Sequence, residues 1–402
     1  MKKIFWLFAI FLIGLMVGQS GLTFAGSEPK KIIMGHLNTF SGSASLYGDD
    51  SKRAITLALE EINAKGGSQV AGENYLLEVI HLDHKYQAAS TVSAYRRLVD
   101  LNKVRFVHNM GSMTGEAIMK SNEKEGVLLD ILSPADGSTI SGNKLVLNQA
   151  TRANGNDPPV VTEAFKRGLK SMCIIADDSE FGRDHAVEIE RIYKKLGGNI
   201  LGTEYVVSTK SVDFLPVLTK LKGYNPDCIY IIAMEEPAAR IAKQAREAGI
   251  SAILLFTEHF KQKAIDVIGI EKLEGTLFTA SALALISLRP EGTPEEYLRY
   301  REKYLKRWPG AYLSATGVYG YNWIYYITKA MQKTGTTTDV FKIRAVCSDA
   351  IRESSSVVKY EGFTKGGRGY GQPIFVLGID KGKVRVIQGV PYPKELAEAG
   401  EK

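Results

Sequence analysis

The sequence predicts an α/β protein of two doubly wound lobes joined by a three-strand hinge. Three observations carry that reading. Apolar strand runs alternate with amphipathic helices through two successive series. The opening segment, Lys31–Gly67, gives a buried strand run, a Ser/Gly loop and a helix ending at Gly66-Gly67. The last third departs from the alternation, as a discontinuous domain requires when the chain returns to its first lobe.

The N-terminus is read separately. Met1-Lys2-Lys3 is a short basic region, Ile4 to Val17 an apolar run of 14 residues, and Thr23-Phe24-Ala25 a small-x-Ala cleavage site. These predict a signal peptide over 1–25 and an exported, periplasmic mature chain. The apolar run is shorter than the roughly 20 residues that span a bilayer. Of the net charge of +7, Lys2 and Lys3 contribute two, leaving a dispersed +5 after cleavage. With no basic block, the sequence predicts no nucleic-acid partner.

In the first series, strand runs at 32–37, 75–83, 104–108 and 127–133 are separated by helical stretches near 51–65, 87–101 and 114–125. Ile55, Ala58, Leu59 and Ile62 fall on one helical face. The second series has strands at 171–176, 201–207, 228–233 and 252–257, with helices near 158–168, 182–197, 213–222, 237–248 and 261–269. Ile189, Ile192, Tyr193 and Leu196 repeat the stripe. Such alternation implies parallel sheets with right-handed crossovers. Thr276–Ala282 then reads as a strand, followed by helices near 294–307, 315–334 and 339–352 and a β-rich tail over 356–390. Crossings are predicted near Gln149–Arg152, Leu277–Ala280 and Val357–Glu361. The first lobe would then hold 26–150 with 280–358, and the second 151–279 with 359–402.

Catalytic and cofactor signatures are missing. There is no Gly-x-Ser-x-Gly elbow, Walker loop or His-Glu-x-x-His. The run Gly366-Gly367-Arg368-Gly369-Tyr370-Gly371 precedes a strand and reads as a hairpin or hinge loop. His81 and His84, three apart near a strand, point to opposite faces and read as surface and loop residues rather than metal ligands. Asp177-Asp178 reads as a cap for the following helix, with a ligand-facing loop as the alternative. Cys173 and Cys228 lie in apolar runs and read as buried thiols, a bridge between neighbouring strands being the alternative. The expected protein is a binder: no enzyme, no catalytic residues, no metal and no cofactor.

Taken in order, several segments resemble the periplasmic leucine/isoleucine/valine-binding protein family, the substrate-binding components of branched-chain amino-acid ABC transporters. The carrying residues are Ser41-Gly42, Tyr47-Gly48, Ile62 to Gly67, Asn109 to Ser112, Gly126-Val127 through Ser133-Pro134, Ile174 to Asp178 with Phe181-Gly182, Asn225 to Asp227, Ala245 to Gly249 and Glu274 to Thr276. The resemblance implies a type I periplasmic binding fold whose lobes clamp a ligand, an amino acid or a relative, and deliver it to an inner-membrane permease. A monomer is expected. It implies that Ser112 and the loop at Ala135 hold the ligand carboxylate, that Glu258 pairs with its ammonium, and that Tyr47 and Phe181 line the cleft. Ser112 and Glu258 have helix capping as their alternative, Tyr47 an exposed loop position, and Arg152 reads as a hinge ion-pair member. Asp136, where the family has a small residue, Phe181, which lacks the hydroxyl of the family's usual Tyr, and Glu235, in a Met234–Glu236 run that replaces aromatics, are the expected determinants of specificity. A sensory module serving a receptor or kinase, and a binder of an amide or other small organic ligand, remain the alternatives.

Overall fold

The computed structural model describes residues 30–41, 45–135, 137–207 and 211–401. The predicted signal segment and Asp136 lie outside the described residues. The first sheet contains β1 (Lys30–Asn38), β2 (Ser68–Val70), β3 (Glu73–Asp83), β4 (Phe106–Met110), β5 (Leu128–Leu132) and β6 (Val146–Leu147), in the order β2-β3-β1-β4-β5-β6. All its pairs are parallel except β2 against β3.

The second sheet begins with β7 (Ser171–Asp177), β8 (Asn199–Val206), β9 (Cys228–Ile232), β10 (Ile253–Phe256) and β11 (Leu277–Ser281). After a helical excursion comes a short hairpin, β12 (Gly362–Phe363) and β13 (Gly369–Tyr370), and then β14 (Pro373–Asp380) and β15 (Lys383–Pro391). The order is β15-β14-β11-β10-β9-β7-β8, with β14 and β15 antiparallel to their neighbours. Strands buried on both faces read as continuous apolar runs; every residue of β9 is buried.

Each sheet reverses its strand order once, between β1 and β4 and between β7 and β9. Ligands of open α/β sheets bind beyond the carboxyl ends of strands at such switch points. Both switch points are built alike. Helix Ser45–Asn63 follows β1 and helix Glu180–Lys195 follows β7. Gly48 and Gly182 sit in their first turns, one residue after Tyr47 and Phe181. A Cβ at Gly48 would lie 2.0 Å from Thr39 O, and one at Gly182 would lie 1.9 Å from Asp177 O. Glycine is therefore what lets each helix start so tightly against its strand, leaving the preceding aromatic at the sheet's ligand end.

The elements match the predicted alternation, with instructive exceptions. The helix expected over 87–101 ends in a π turn, Arg97–Leu101, where Asn102 N donates to Arg97 O. The segment 114–125 divides into helices Ser112–Met119 and Asn122–Glu125. Leu277–Ala280 are core residues of β11, so the second crossing follows them, into helix Ala282–Leu288. The third crossing also comes late. The β12–β13 hairpin pairs with Asn148 beside β6, so the chain reaches the second sheet at Gly371–Pro373 rather than at Val357–Glu361.

The cysteine alternative is also resolved. Cys228 faces Met172 across the β7–β9 pair, while Cys173 faces Ile229. An offset of one residue sends the two thiols to opposite faces of the sheet, and all three cysteines are free and buried. Burial pushes Cys173 up to about 11 and Cys228 and Cys347 up to about 12.

Candidate functional site

A cavity of about 430 Å³ opens between the lobes, lined by Tyr47, Tyr312, Leu313 and Ser314 from the first and by Glu235, Glu258, His259 and Lys261–Lys263 from the second. Ser281, Ala284 and Leu288 close it at the second crossing. The rings of Tyr47 and Tyr312 meet edge to face at 5.8 Å, forming an aromatic wall. That wall is braced from behind by Asp50, which is fully buried. Asp50 Oδ2 accepts from Ser314 N at 2.9 Å, Ser314 Oγ at 2.6 Å and Gly317 N at 2.9 Å, fastening helix Ala315–Thr334 to helix Ser45–Asn63. Burial raises the Asp50 carboxyl above its ordinary value, against the pull of these donors.

The opposite wall carries the acids. Glu235 opens helix Glu235–Glu247 after β9. Glu258 follows β10 in a turn, and the next helix, Gln262–Ile268, starts four residues later with Lys261 at its cap. Glu258 therefore does not cap it. Glu258 Oε2 is buried without a hydrogen-bond partner among the described residues, and Oε1 stands 3.8 Å from His259 Nε2. An unpaired buried carboxylate oxygen is costly and calls for a donor. Burial holds His259 below its ordinary value although Glu258 pulls the other way.

Phe181 joins this wall through His259, ring centroids 5.2 Å apart, and rests on His185 at 4.4 Å. Beneath it lies a polar cluster that the sequence did not reveal. His185 Nδ1 is 2.5 Å from Asp157 Oδ2, and Tyr230 OH donates to Asp157 Oδ1 at 2.9 Å, with His185 and Asp157 both fully buried. Burial lowers His185, but the Asp157 carboxylate outweighs it and carries the imidazole up to about 9. Asp157 is itself pushed up, by burial first. The signal lay in residue types, an Asp at a helix start and a His one turn after Phe181, but their 28-residue separation hid the contact. Ser179, rather than Asp177 or Asp178, caps the helix of Phe181 by accepting from Gly182 N.

Ser112 and Ala135 form a second cluster, at the carboxyl ends of β4 and β5, and do not line the 430 Å³ cavity. Ser112 Oγ and Ser133 Oγ are 2.6 Å apart, and Ala135 N donates to Ser133 Oγ at 3.1 Å. Gly111, not Ser112, stands at the cap of helix Ser112–Met119, leaving that hydroxyl to the loop. Asp136 lies outside the described residues. Arg152 donates to Ala399 O at 2.9 Å. Thus Tyr47, Glu235 and Glu258 come together directly and Phe181 through one ring contact, while Ser112 and Ala135 sit apart.

Of the first-lobe histidines, His36, His84 and His108 are buried and His81 is half-buried. His81, His36 and His108 align across β3, β1 and β4 and end on Asp130 of β5. His36 Nδ1 lies 2.8 Å from His81 Nδ1, and His108 Nδ1 lies 2.9 Å from Asp130 Oδ2. His84 is likewise buried, bonded to Met110 O. Among the described residues no His, Cys, Asp and Glu group has a metal-binding arrangement, and no helix is long and apolar enough to cross a membrane.

Comparison with known proteins agrees with this architecture. A family model described as periplasmic binding protein matches residues 31–380. The Leu/Ile/Val-binding protein homolog 7 of Brucella abortus is 29% identical over 318 residues, covering 73% of this chain and 75% of that protein. The Leu/Ile/Val-binding protein of Escherichia coli is 23% identical, covering 66% and 72%. Among solved structures, a branched-chain amino acid ABC transporter periplasmic ligand-binding protein from Burkholderia xenovorans superposes with a TM-score of 0.76 at 18% identity, over 92% of this chain and 97% of that one. The branched-chain amino acid transporter substrate binding protein of Streptococcus pneumoniae, in complex with isoleucine, gives 0.66 at 22% identity, over 90% and 100%. A solute binding protein from R. palustris in complex with benzoate gives 0.66 at 13% identity, over 91% and 98%.

Proposed function

The chain belongs to the periplasmic binding protein family, and we propose that it captures an amino acid in the interlobe cleft and hands it to an ABC-transporter permease. The observation that carries this reading is Glu258 Oε2, a buried acceptor on the wall of the cavity without a partner among the described residues. A ligand ammonium supplies the missing charge-assisted bond. Ser112, Ser133 and Ala135 offer hydroxyl and amide groups on the facing lobe, suited to a carboxylate once the lobes close. Glu235 and the Tyr47–Tyr312 pair then surround the side chain, with Phe181 supporting from behind, and Asp136 belongs to the specificity loop. The two lobes are the clamp, the first holding the β1–β6 sheet and the helices of 282–353, the second the β7–β11 and β14–β15 sheet. Export through the N-terminal signal and action in the periplasm as a monomer complete the proposal.

A second reading, a small organic acid without an ammonium, draws support from the benzoate-bound neighbour and from Lys261 and Lys263 at the cavity. A thermal-shift and calorimetric screen of amino acids, their amides and aromatic acids separates the two. A ligand at 100 times its Kd adds about 2.7 kcal/mol of stability. Glu258→Gln should weaken an amino acid more than tenfold and leave an organic acid unaffected; unchanged amino-acid affinity would move the ammonium site elsewhere.

A further inference from the structure

Arg368 lies in the turn of the β12–β13 hairpin and is fully buried. Its Nη2 donates to Ala135 O at 2.8 Å and to Thr139 Oγ1 at 3.3 Å. Its Nη1 donates to Ala150 O at 3.0 Å and to Ser133 O at 3.4 Å. Ser133 and Ala135 belong to the loop after β5 and Thr139 to the short helix Gly137–Ile140 that follows it; Ala150 belongs to the first crossing between lobes. Asn148 repeats the connection. It pairs with the backbone around Arg368, its Nδ2 donates to Ser133 O at 2.7 Å, and its Oδ1 accepts from Ala150 N at 2.9 Å.

We propose that Arg368 is a positioning residue that couples the β5 loop to the first crossing, so that ligand contact at the loop and lobe placement become one event. This rests on reading the interlobe cleft as the ligand site. The physical reason is the cost of an ill-satisfied buried guanidinium. Its planar fork reaches carbonyls on both segments only while they hold this relative position. A shift of the loop on binding loses some of those bonds unless the crossing follows. Lysine presents three donors from one point and cannot span both segments.

The test uses the full mature chain with leucine as the probe and spin labels on Lys124→Cys and Lys195→Cys, one on each lobe. Arg368→Met is expected to bind leucine at least tenfold more weakly and to lose the leucine-induced change in interlobe distance. Arg368→Lys should recover the fold and under half of the affinity loss. Thr139→Val removes the hydroxyl that Arg368 Nη2 reaches and should cost two- to threefold, which keeps the test open if Arg368→Met does not fold. A lowered melting temperature with leucine affinity and distance change intact would make Arg368 merely structural and overturn the proposal. A wild-type chain that binds no amino acid would instead overturn the reading of the cleft. Amide hydrogen exchange of the ligand-free chain then decides: faster exchange in both 133–139 and 148–150 of Arg368→Lys supports coupling, and exchange unchanged in either segment overturns it.

Discussion

Asp157 and His185 place a carboxylate and an imidazole 2.5 Å apart with neither exposed to water. Removing one member of a buried pair leaves the other without compensation, typically at about 3–5 kcal/mol. Asp157→Asn is therefore expected to lower unfolding stability by about that amount, read from urea midpoints at constant m-value. A loss below about 1 kcal/mol, the range of exposed ion pairs, would mean that the pair is solvated in solution. The same residue separates what the sequence discloses from what it hides. Glu258 and Tyr47 were named through the family resemblance, and both lie beyond the carboxyl end of a strand, where open sheets present ligand groups. Asp157, His185, Arg368 and Tyr312 were not, because their partners lie 28 to 265 residues away, as in the Asp157–His185 and Tyr47–Tyr312 pairs. Only the fold brings them together.

Elements show the same division. The helix expected near 315–334 spans Ala315–Thr334, but the sequence did not show what fastens it. Asp50 accepts two backbone amides and a hydroxyl at its start, and bonds to a charged acceptor contribute about 1.5–3 kcal/mol each before relaxation. Asp50→Ala should destabilise by about 2–4 kcal/mol, allowing for partial rescue of those donors by water. It should also weaken ligand binding, because Ser314 and Tyr312 line the cavity that Asp50 braces. Stability loss with unchanged affinity would confine Asp50 to capping. The histidine row is a property of the first sheet rather than of one residue. Burial holds His36 and His84 below the ordinary imidazole value, joined for His36 by the other histidines, and brings His81 down to about 4. With folded values depressed, the unfolded chain binds more protons between pH 6.5 and about 4, so stability falls as pH drops through that window. His185 acts oppositely. Raised to about 9 by Asp157, it contributes stability that is complete below pH 6.5 and lost as pH climbs toward 9. Together they predict a stability maximum near pH 6.5, checked by urea midpoints across pH 4–9. Replacing His81 with Gln should flatten the acid limb alone. A profile flat from pH 4 to 7 would mean the row opens to solvent without cost.

At the scale of the whole molecule, the two sheets behave as one folding unit if their packing is continuous. The link is the segment that leaves the second crossing. Glu291 pairs through its backbone with Val384 and Val386 of β15, and the Tyr297 ring meets Phe375 of β14 edge-on at 6.2 Å. The same helix, Glu295–Arg307, is fastened to the rest of the first lobe through Lys303 to Glu61 at 2.9 Å, Arg307 to Glu60 at 3.1 Å, and Tyr300 against Tyr321. Tyr297 is nearly fully buried, so its truncation to Ala should cost about 3–5 kcal/mol, concentrated at this junction. Tryptophan offers a one-lobe probe, because Trp308 and Trp323 both belong to the first-lobe helical region while Trp6 lies in the predicted signal. Far-ultraviolet circular dichroism reports both lobes. In the wild-type chain the two signals should trace one coincident urea transition, the mark of cooperative unfolding. In Tyr297→Ala they should separate, with the dichroism transition dividing around a single fluorescence step. Separate transitions in the wild type would show that the helix slides over Phe375 freely, a looser joint than its burial implies, and coincidence persisting in the variant would shift the coupling to the crossings and to Arg368.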